Sequence, residues 1–268
     1  MNIFEILLTI IAGLIIGSFL NVCIYRLPRE RSVIRPRSFC PSCEHTIPWY
    51  DNIPVLSFLI LRGRCRFCKK KISPRYILVE TLTAGLFLLF VSQFGIGAVS
   101  SVYIVLGCAL LVSTFVDFEY QIIPDEITYP GMALGALLAV AFPVLHGTDN
   151  RLFSFLDSIA GLLLGGVLIY AIAAAGTVLF RKKLQELGEE SAMGGGDVKY
   201  LAMIGAFLGY KAVIFIFLLA PFFGVIVGLI AKFKYKKDII PYGPYLSIAT
   251  IVVIVWGKKI LNTLFPYM

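Results

Sequence analysis

The strongest constraint on this chain is the length and spacing of its apolar runs. Segments at 3–24, 77–94, 99–116, 127–145 and 155–180 are each long enough to cross the hydrocarbon core of a bilayer as a helix. The last is generous and is expected to tilt. In hydrocarbon each segment has to satisfy its own backbone polar groups, which leaves helices as the spanning form for runs of this kind. With 59% hydrophobic and only 15% charged residues, the sequence specifies an all-α polytopic membrane protein. The first segment is read as a retained helix and not a cleaved signal: Glu5 stands where a basic region would be, and the apolar run reaches spanning length. Gly17, Ser18 and Asn21 mark a packed face on it, because small and polar residues let helices approach and hydrogen-bond inside a bilayer.

The formal net charge of +8 comes from cations clustered between apolar segments, which is a topology signal more than a nucleic-acid footprint. The largest cluster is the polar insert between the first two segments, with twelve Lys or Arg against the three acids Glu30, Glu44 and Asp51. Positive-inside bias places that insert in the cytoplasm and the N-terminus outside. The stretch 198–233 is either one overlong helix or two helices broken near Gly209-Tyr210-Lys211. Parity favours the break, since a single crossing would put Lys232, Lys234, Lys236 and Lys237 outside. With a final segment at 245–256 the expected count is eight spans, leaving twenty cations inside and four outside: Arg151, Lys211, Lys258 and Lys259. The expected organisation is a first transmembrane helix at 1–25, a cytoplasmic insert at 26–76 and a membrane core at 77–268.

Within the insert, Cys40-Pro41-Ser42-Cys43 and Cys65-Arg66-Phe67-Cys68 form two CxxC pairs with twenty-one residues between them. Four thiolates so spaced suit a closed tetrahedral zinc site with no open position for catalysis. A cytoplasmic setting argues against disulfides. An insert of about fifty residues has a marginal core, and a structural metal supplies much of its folding free energy. Its surplus cations fit anionic lipid headgroups. Cys23 and Cys108 lie inside apolar segments and read as small buried hydrophobes.

The chemistry is expected from acids. Met193-Gly194-Gly195-Gly196-Asp197-Val198-Lys199 joins two apolar segments, and its glycines allow another backbone to come close to the Asp197 carboxylate. Asp117 ends the third span within Val116-Asp117-Phe118-Glu119-Tyr120-Gln121-Ile122-Ile123-Pro124-Asp125. Singly, each acid reads as a helix cap or an interfacial charge. The topology, however, brings Asp117 and Asp197 to one membrane face. Two neighbouring carboxylates share a proton, so one can act as base and the other as acid on a water and a peptide carbonyl, with no metal or covalent intermediate. A Ser-His-Asp system lacks material, because the only histidines are His45 in the insert and His146 on the predicted outer side. Spacing alone does not choose between Asp117 and Asp125.

The Ile-Ile-Pro-Asp turn after Asp117 and the Gly-Gly-Gly-Asp-Val-Lys loop opening a later span resemble the type IV prepilin peptidases, membrane aspartic proteases of the GxGD class. Gly17-Ser18-Phe19-Leu20-Asn21-Val22, Arg26-Leu27-Pro28, Asn52-Ile53-Pro54, Leu61-Arg62-Gly63-Arg64-Cys65, Arg75-Tyr76 and Val79-Glu80 extend the likeness over essentially the whole chain. The resemblance implies that Asp117 and Asp197 are catalytic and Asp125 secondary. It also implies an inner-membrane enzyme that removes a short basic leader from prepilins or pseudopilins of pilus and secretion systems, cutting after a glycine on the cytoplasmic side. Many members then methylate the new N-terminus with S-adenosylmethionine; no glycine-rich loop here marks a site for that donor, and Glu80, at the start of the second span, is read as an interfacial helix-start acid, with a place facing the site or the donor pocket as the alternative. The partners expected are the precursor and the lipid bilayer, with no nucleic acid. A scaffold with capping acids is the rival reading. A transporter is the third, disfavoured because both acids lie near one face and not at the midplane.

Overall fold

The computed structural model describes residues 1–187, 191, 193–235 and 241–264. The late-loop cations Lys236 and Lys237 lie outside the described residues. Nine helices are described, and among the described residues there is no strand, only two isolated bridges in the insert. They are α1 (Ile3–Arg26), α2 (Leu56–Ile60), α3 (Arg75–Phe94), α4 (Ala98–Tyr120), α5 (Asp125–Ala141), α6 (Arg151–Leu179), α7 (Arg181–Leu187), α8 (Gly195–Tyr235) and α9 (Gly243–Leu264). Among the described residues, five are long and apolar enough to cross a membrane: α1, α3, α4, α6 and α8. The all-helical, multi-pass architecture expected from the apolar runs is therefore present. Two compact units divide the chain, Met1–Val112 and Ser113–Met268, with the boundary inside α4.

The first unit is built on α1 against α3. Asn2 starts α1 through a capping box, its Oδ1 accepting from the Glu5 N–H at 2.8 Å while its own N–H donates to Glu5 at 3.0 Å. Gly13 and Gly17, one turn apart, are where the helices approach. A Cβ on Gly13 would lie 2.5 Å from the Ala84 Cα, and one on Gly17 would lie 2.7 Å from the Glu80 Cα. One turn further along, the buried Asn21 amide donates to the Tyr76 carbonyl at 3.0 Å. The small-and-polar face read from the sequence is thus the α1/α3 seam. At the end of α1 the buried Arg26 gathers the carbonyls of Ser32, Pro36 and Arg37 at 2.9, 2.8 and 3.3 Å, tying the start of the insert to the helix. Glu80 is not an interfacial acid. It is 7% exposed, and its carboxylate accepts from the Val55 N–H at 2.7 Å. Val55 stands at φ 59°, a costly place for a β-branched residue, and the buried carboxylate is what holds that turn.

The second unit packs α5 and α6 on α8, again through glycines spaced four apart. Gly135 of α5 would carry a Cβ 2.9 Å from the Ala206 backbone, and Gly165 of α6 one 2.5 Å from the Leu201 carbonyl oxygen. Gly161 meets Gly205 backbone to backbone, and Ser158 donates to the Ala206 carbonyl at 2.6 Å. Close approach replaces hydrophobic driving force here, since lipid tails are as apolar as leucine. Large side chains such as Leu163, Val167, Tyr170, Val178 and Leu179 of α6 stay exposed, as a lipid-facing surface requires.

Helix α8 is two helices joined across Gly209, at φ 79° and ψ 173°. Only glycine adopts that conformation without a large penalty. The break falls at the tripeptide chosen by parity. It is braced by His146, in a 3-10 turn after α5, whose fully buried ring pairs through Nδ1 with Asp157 of α6 at 2.5 Å. A Cβ on Gly209 would run into both side chains.

Candidate active site and metal-type insert

Asp117 lies within the last turn of α4, inside the helix and not past its end, and is 6% exposed. After Tyr120 the chain turns at Gln121, φ 56°, and Ile123 is driven inward. Ile123 is the wedge of the site. On one side it meets Gly196, whose Cβ would lie 3.2 Å from its own; on the other its Cδ1 would lie 3.4 Å from a Cβ on Gly243. Glycine at these two places lets the start of α8 and the start of α9 close on the turn that follows Asp117. The Gly243 N–H, at the first residue of α9, donates to Asp117 Oδ2 at 2.9 Å.

Asp197 is the third residue of α8, half-buried, with its N–H donating to the Gly194 carbonyl at 3.2 Å. It lies within direct electrostatic range of Asp117. Burial and the neighbouring Asp197 push the Tyr242 phenol up to about 12. The two acids selected in the sequence are therefore brought together, by three helix ends and one turn. Asp125 is not part of this pair. It opens α5 and makes an ion pair with Lys199, whose ammonium also sits 5.3 Å from the Tyr129 ring centre.

Behind the acids lies a hydroxyl cluster that the sequence reading missed. Tyr200, fully buried on α8, is 2.7 Å from Ser247 Oγ, to which Thr114 of α4 also bonds at 2.7 Å; Ser247 donates to the Gly243 carbonyl at 2.9 Å. These bonds fix α4, α8 and α9 to one another beside both carboxylates. The available signal was spacing: Tyr200 follows Asp197 by three residues, Thr114 precedes Asp117 by three, and Ser247 follows Gly243 by four, each on the same helix face as its partner. Gly243 itself, in Tyr242-Gly243-Pro244, reads in sequence only as a helix start.

In the insert, the Sγ atoms of Cys40, Cys43, Cys65 and Cys68 all lie within 4.8 Å of one another, and Cys40 and Cys68 are 3.9 Å apart. Zinc–sulfur bonds of about 2.3 Å in a tetrahedron place the sulfurs about 3.8 Å apart. The cluster can hold a metal ion. The two CxxC loops are also copies of one hairpin, an internal repeat not evident in the residues. Cys40 N–H donates to His45 as Cys65 does to Lys70, at 3.0 and 2.9 Å, and Phe39 pairs with Thr46 as Arg64 does with Lys71. Glu44 and Lys69 take the same left-handed position, at φ 56° and 59°. The N–H of Cys68 leads in lowering the Cys65 thiol to about 7. Cys43 is raised to about 11 despite the N–H of His45, by burial and by the neighbouring Cys40, Cys68 and Cys65. Four sulfurs so gathered are a donor set for a soft cation.

Two carboxylates gathered at the ends of apolar helices, with a four-thiol insert on the same chain, belong to a multi-pass membrane protein. Residues 11–94 match the family model of the bacterial peptidase A24 N-terminal domain, and residues 104–229 match that of the type IV leader peptidase family. The chain is 40% identical over 220 residues to the prepilin leader peptidase/N-methyltransferase of Myxococcus xanthus, covering 82% of this chain and 61% of that one. It is 35% identical to the protein so named from Aeromonas hydrophila, covering 94% of this chain and 91% of that one. For the Pseudomonas aeruginosa protein of that name the figures are 33%, 96% and 92%. No solved structure matches the chain. The chain belongs to the type IV leader peptidase family and is an enzyme of that class.

Proposed function

We propose that this protein cleaves the short basic leader from prepilins and pilin-like precursors at the cytoplasmic membrane face, with Asp117 and Asp197 as the catalytic pair. The observation that carries the reading is the convergence of the buried Asp117 and the half-buried Asp197 across Ile123, with a backbone donor aimed at Asp117. Asp117, with the Gly243 N–H on Oδ2, is suited to be the base; Asp197 is then the carrier of the shared proton. A water gives its proton to Asp117 and attacks the carbonyl carbon of the glycine before the cut. Asp197 passes its proton to the carbonyl oxygen. Collapse of the tetrahedral intermediate breaks the C–N bond, the leaving amine takes the proton from Asp117, and Asp197 recovers its own from the collapsing hydroxyl.

The eight-span topology agrees with the broken α8, with the shorter α5, 17 residues and about 25 Å by helical rise, and with α9. It puts the acids and the insert on the inner side, and leaves 26–76 as an insert between the first helix and the core. Zinc is the metal assigned to Cys40, Cys43, Cys65 and Cys68, on four sulfur donors and their spacing; it would be structural, closing the insert without touching substrate. N-methylation of the new N-terminus follows from the names of the relatives. Glu80 does not suit the methyl donor, since its carboxylate is buried and taken by Val55, and no step is assigned to that group.

The test is cleavage of a pilin-like precursor in membranes containing equal amounts of wild-type protein, Asp117→Asn or Asp197→Asn, with mass analysis of the product. Each substitution is expected to lower the rate by about 10²–10⁴-fold. Cleavage at the wild-type rate by either variant returns that acid to a capping role and revives the scaffold. A product heavier by one methyl group with wild-type protein identifies the second activity.

A further inference from the structure

The insert carries an apolar surface that neither leader cleavage nor metal binding uses. Helix α2 exposes Leu56, Leu59 and Ile60, the last two at 61% and 67%, and their spacing of three and four residues puts them on one helix face. Phe58 faces the other way, into the insert: a Cβ on Gly63 would lie 2.9 Å from its ring. The 3-10 turn Trp49–Asn52 packs against α2 and adds Trp49, 73% exposed, and the exposed Tyr50. This surface is held in shape from behind. Arg66 of the second CxxC loop grips Asp51 through Nε and Nη2, both at 2.6 Å, and stands 5.5 Å from the Tyr50 ring centre. Around it in sequence lie the exposed cations Arg62, Arg64, Lys69, Lys70 and Lys71.

We propose that this face, Trp49, Tyr50 and the Leu56, Leu59 and Ile60 stripe, docks into the anionic headgroup layer of the bilayer that α1 and α3 cross. Three observations select lipid over a protein partner. The insert is tied to both helices, since the buried Arg26 of α1 holds its first loop and Glu80 of α3 holds Val55, which keeps it at the level where the spanning helices leave the bilayer. A tryptophan beside aliphatic side chains, with lysines and arginines nearby, is the composition of an interfacial anchor. The same cations repel a basic leader and attract acidic headgroups. The insert would thereby become a foot that fixes the depth and tilt of α1 and α3. This rests on the orientation proposed above, which puts the insert against the anionic leaflet.

The chain has two tryptophans, so Trp256→Phe leaves Trp49 as the only reporter. The full-length variant is reconstituted into vesicles of phosphatidylcholine alone and of phosphatidylcholine with phosphatidylglycerol, with brominated acyl chains in a parallel set. The difference between wild-type protein and Trp49→Phe gives the same signal should α9 not tolerate the change. In anionic vesicles Trp49 emission is expected to move to shorter wavelength, to be quenched by bromine and to be shielded from acrylamide; high salt weakens all three. Trp49 open to acrylamide and untouched by bromine in anionic vesicles overturns the proposal. Trp49 open in empty vesicles and shielded only when precursor is added also overturns it, and makes the face a substrate surface. Loss of leader cleavage is a separate readout, so a failure of docking and a failure of the proposed function can be told apart.

Discussion

Replacing Gly243 by alanine tests the acid pair without touching either acid. An added Cβ would lie 2.7 Å from Asp117 Oδ2 and 3.4 Å from its Cγ, with Ile123 Cδ1 also at 3.4 Å. The oxygen contact has to open by about 0.7 Å to reach ordinary van der Waals distance near 3.4 Å. The carboxylate cannot simply swing aside, because Ile123 fills one flank and the Tyr200–Ser247–Thr114 bonds hold α4 and α9 in place. The Gly243 N–H to Asp117 bond, 2.9 Å in the native site, therefore stretches out of range. A displacement approaching 1 Å at a catalytic group costs on the order of 10²-fold in rate, about 2–3 kcal/mol of transition-state stabilisation. The assay is kcat/KM for a pilin-like precursor in proteoliposomes, with melting temperature measured on the same samples. Gly195→Ala is the matched control, since nothing lies within 4 Å of a Cβ there, and it is expected to cleave within about twofold of wild type. Full activity in a folded Gly243→Ala protein would refute the assignment of Gly243 as the group that positions Asp117.

Cys40→Ser, or treatment with a strong chelator, is expected to remove one bound metal ion per chain by elemental analysis and to lower the melting temperature; metal loss with unchanged stability would deny the ion a structural role. Gly209→Ala drives a Cβ into Asp157 and His146 at a φ of 79°, and is expected to destabilise the protein by at least about 2 kcal/mol, read as a lower melting temperature and less protein in the membrane. Arg66 beside Asp51 holds that carboxyl below its usual value of 3.8. A depressed carboxyl contributes stability above its unfolded pKa and loses it as pH falls through the folded one. Asp51→Asn should thus melt below wild type at neutral pH, with the gap closing as pH drops below 3.8; a gap that persists in acid would show that packing of Tyr50, not charge, is what the substitution disturbs.

Several parts of the molecule were legible because they depend on local chemistry. Apolar length and cation placement located the five long apolar helices among the described residues and the break at Gly209, where parity demanded a turn and only glycine fits the backbone. Two CxxC pairs announced a four-sulfur cluster, though not that their hairpins are copies, since the repeat lies in hydrogen bonds and φ values while the residues at Glu44 and Lys69 differ. Glu80 misled for a related reason. Early in a helix, an acid looks interfacial, and its burial against Val55 depends on a turn some twenty-five residues earlier in the chain.

The sequence by itself determined the class of fold, a helical membrane protein, because hydrocarbon dictates that runs of bilayer length satisfy their backbone internally. It also determined the sulfur cluster, whose donors come in local pairs. Tertiary structure alone decided which acids meet. Asp117 and Asp125 stand in the same short stretch, and only packing separates them: Asp125 goes to Lys199 on α8, while Asp117 turns toward Gly243, well over a hundred residues along the chain. Such a choice is made by close approach at Gly196 and Gly243 and by the volume of Ile123. Contacts of that kind depend on the sum of helix lengths, tilts and glycine placements, and no local pattern of residues encodes them.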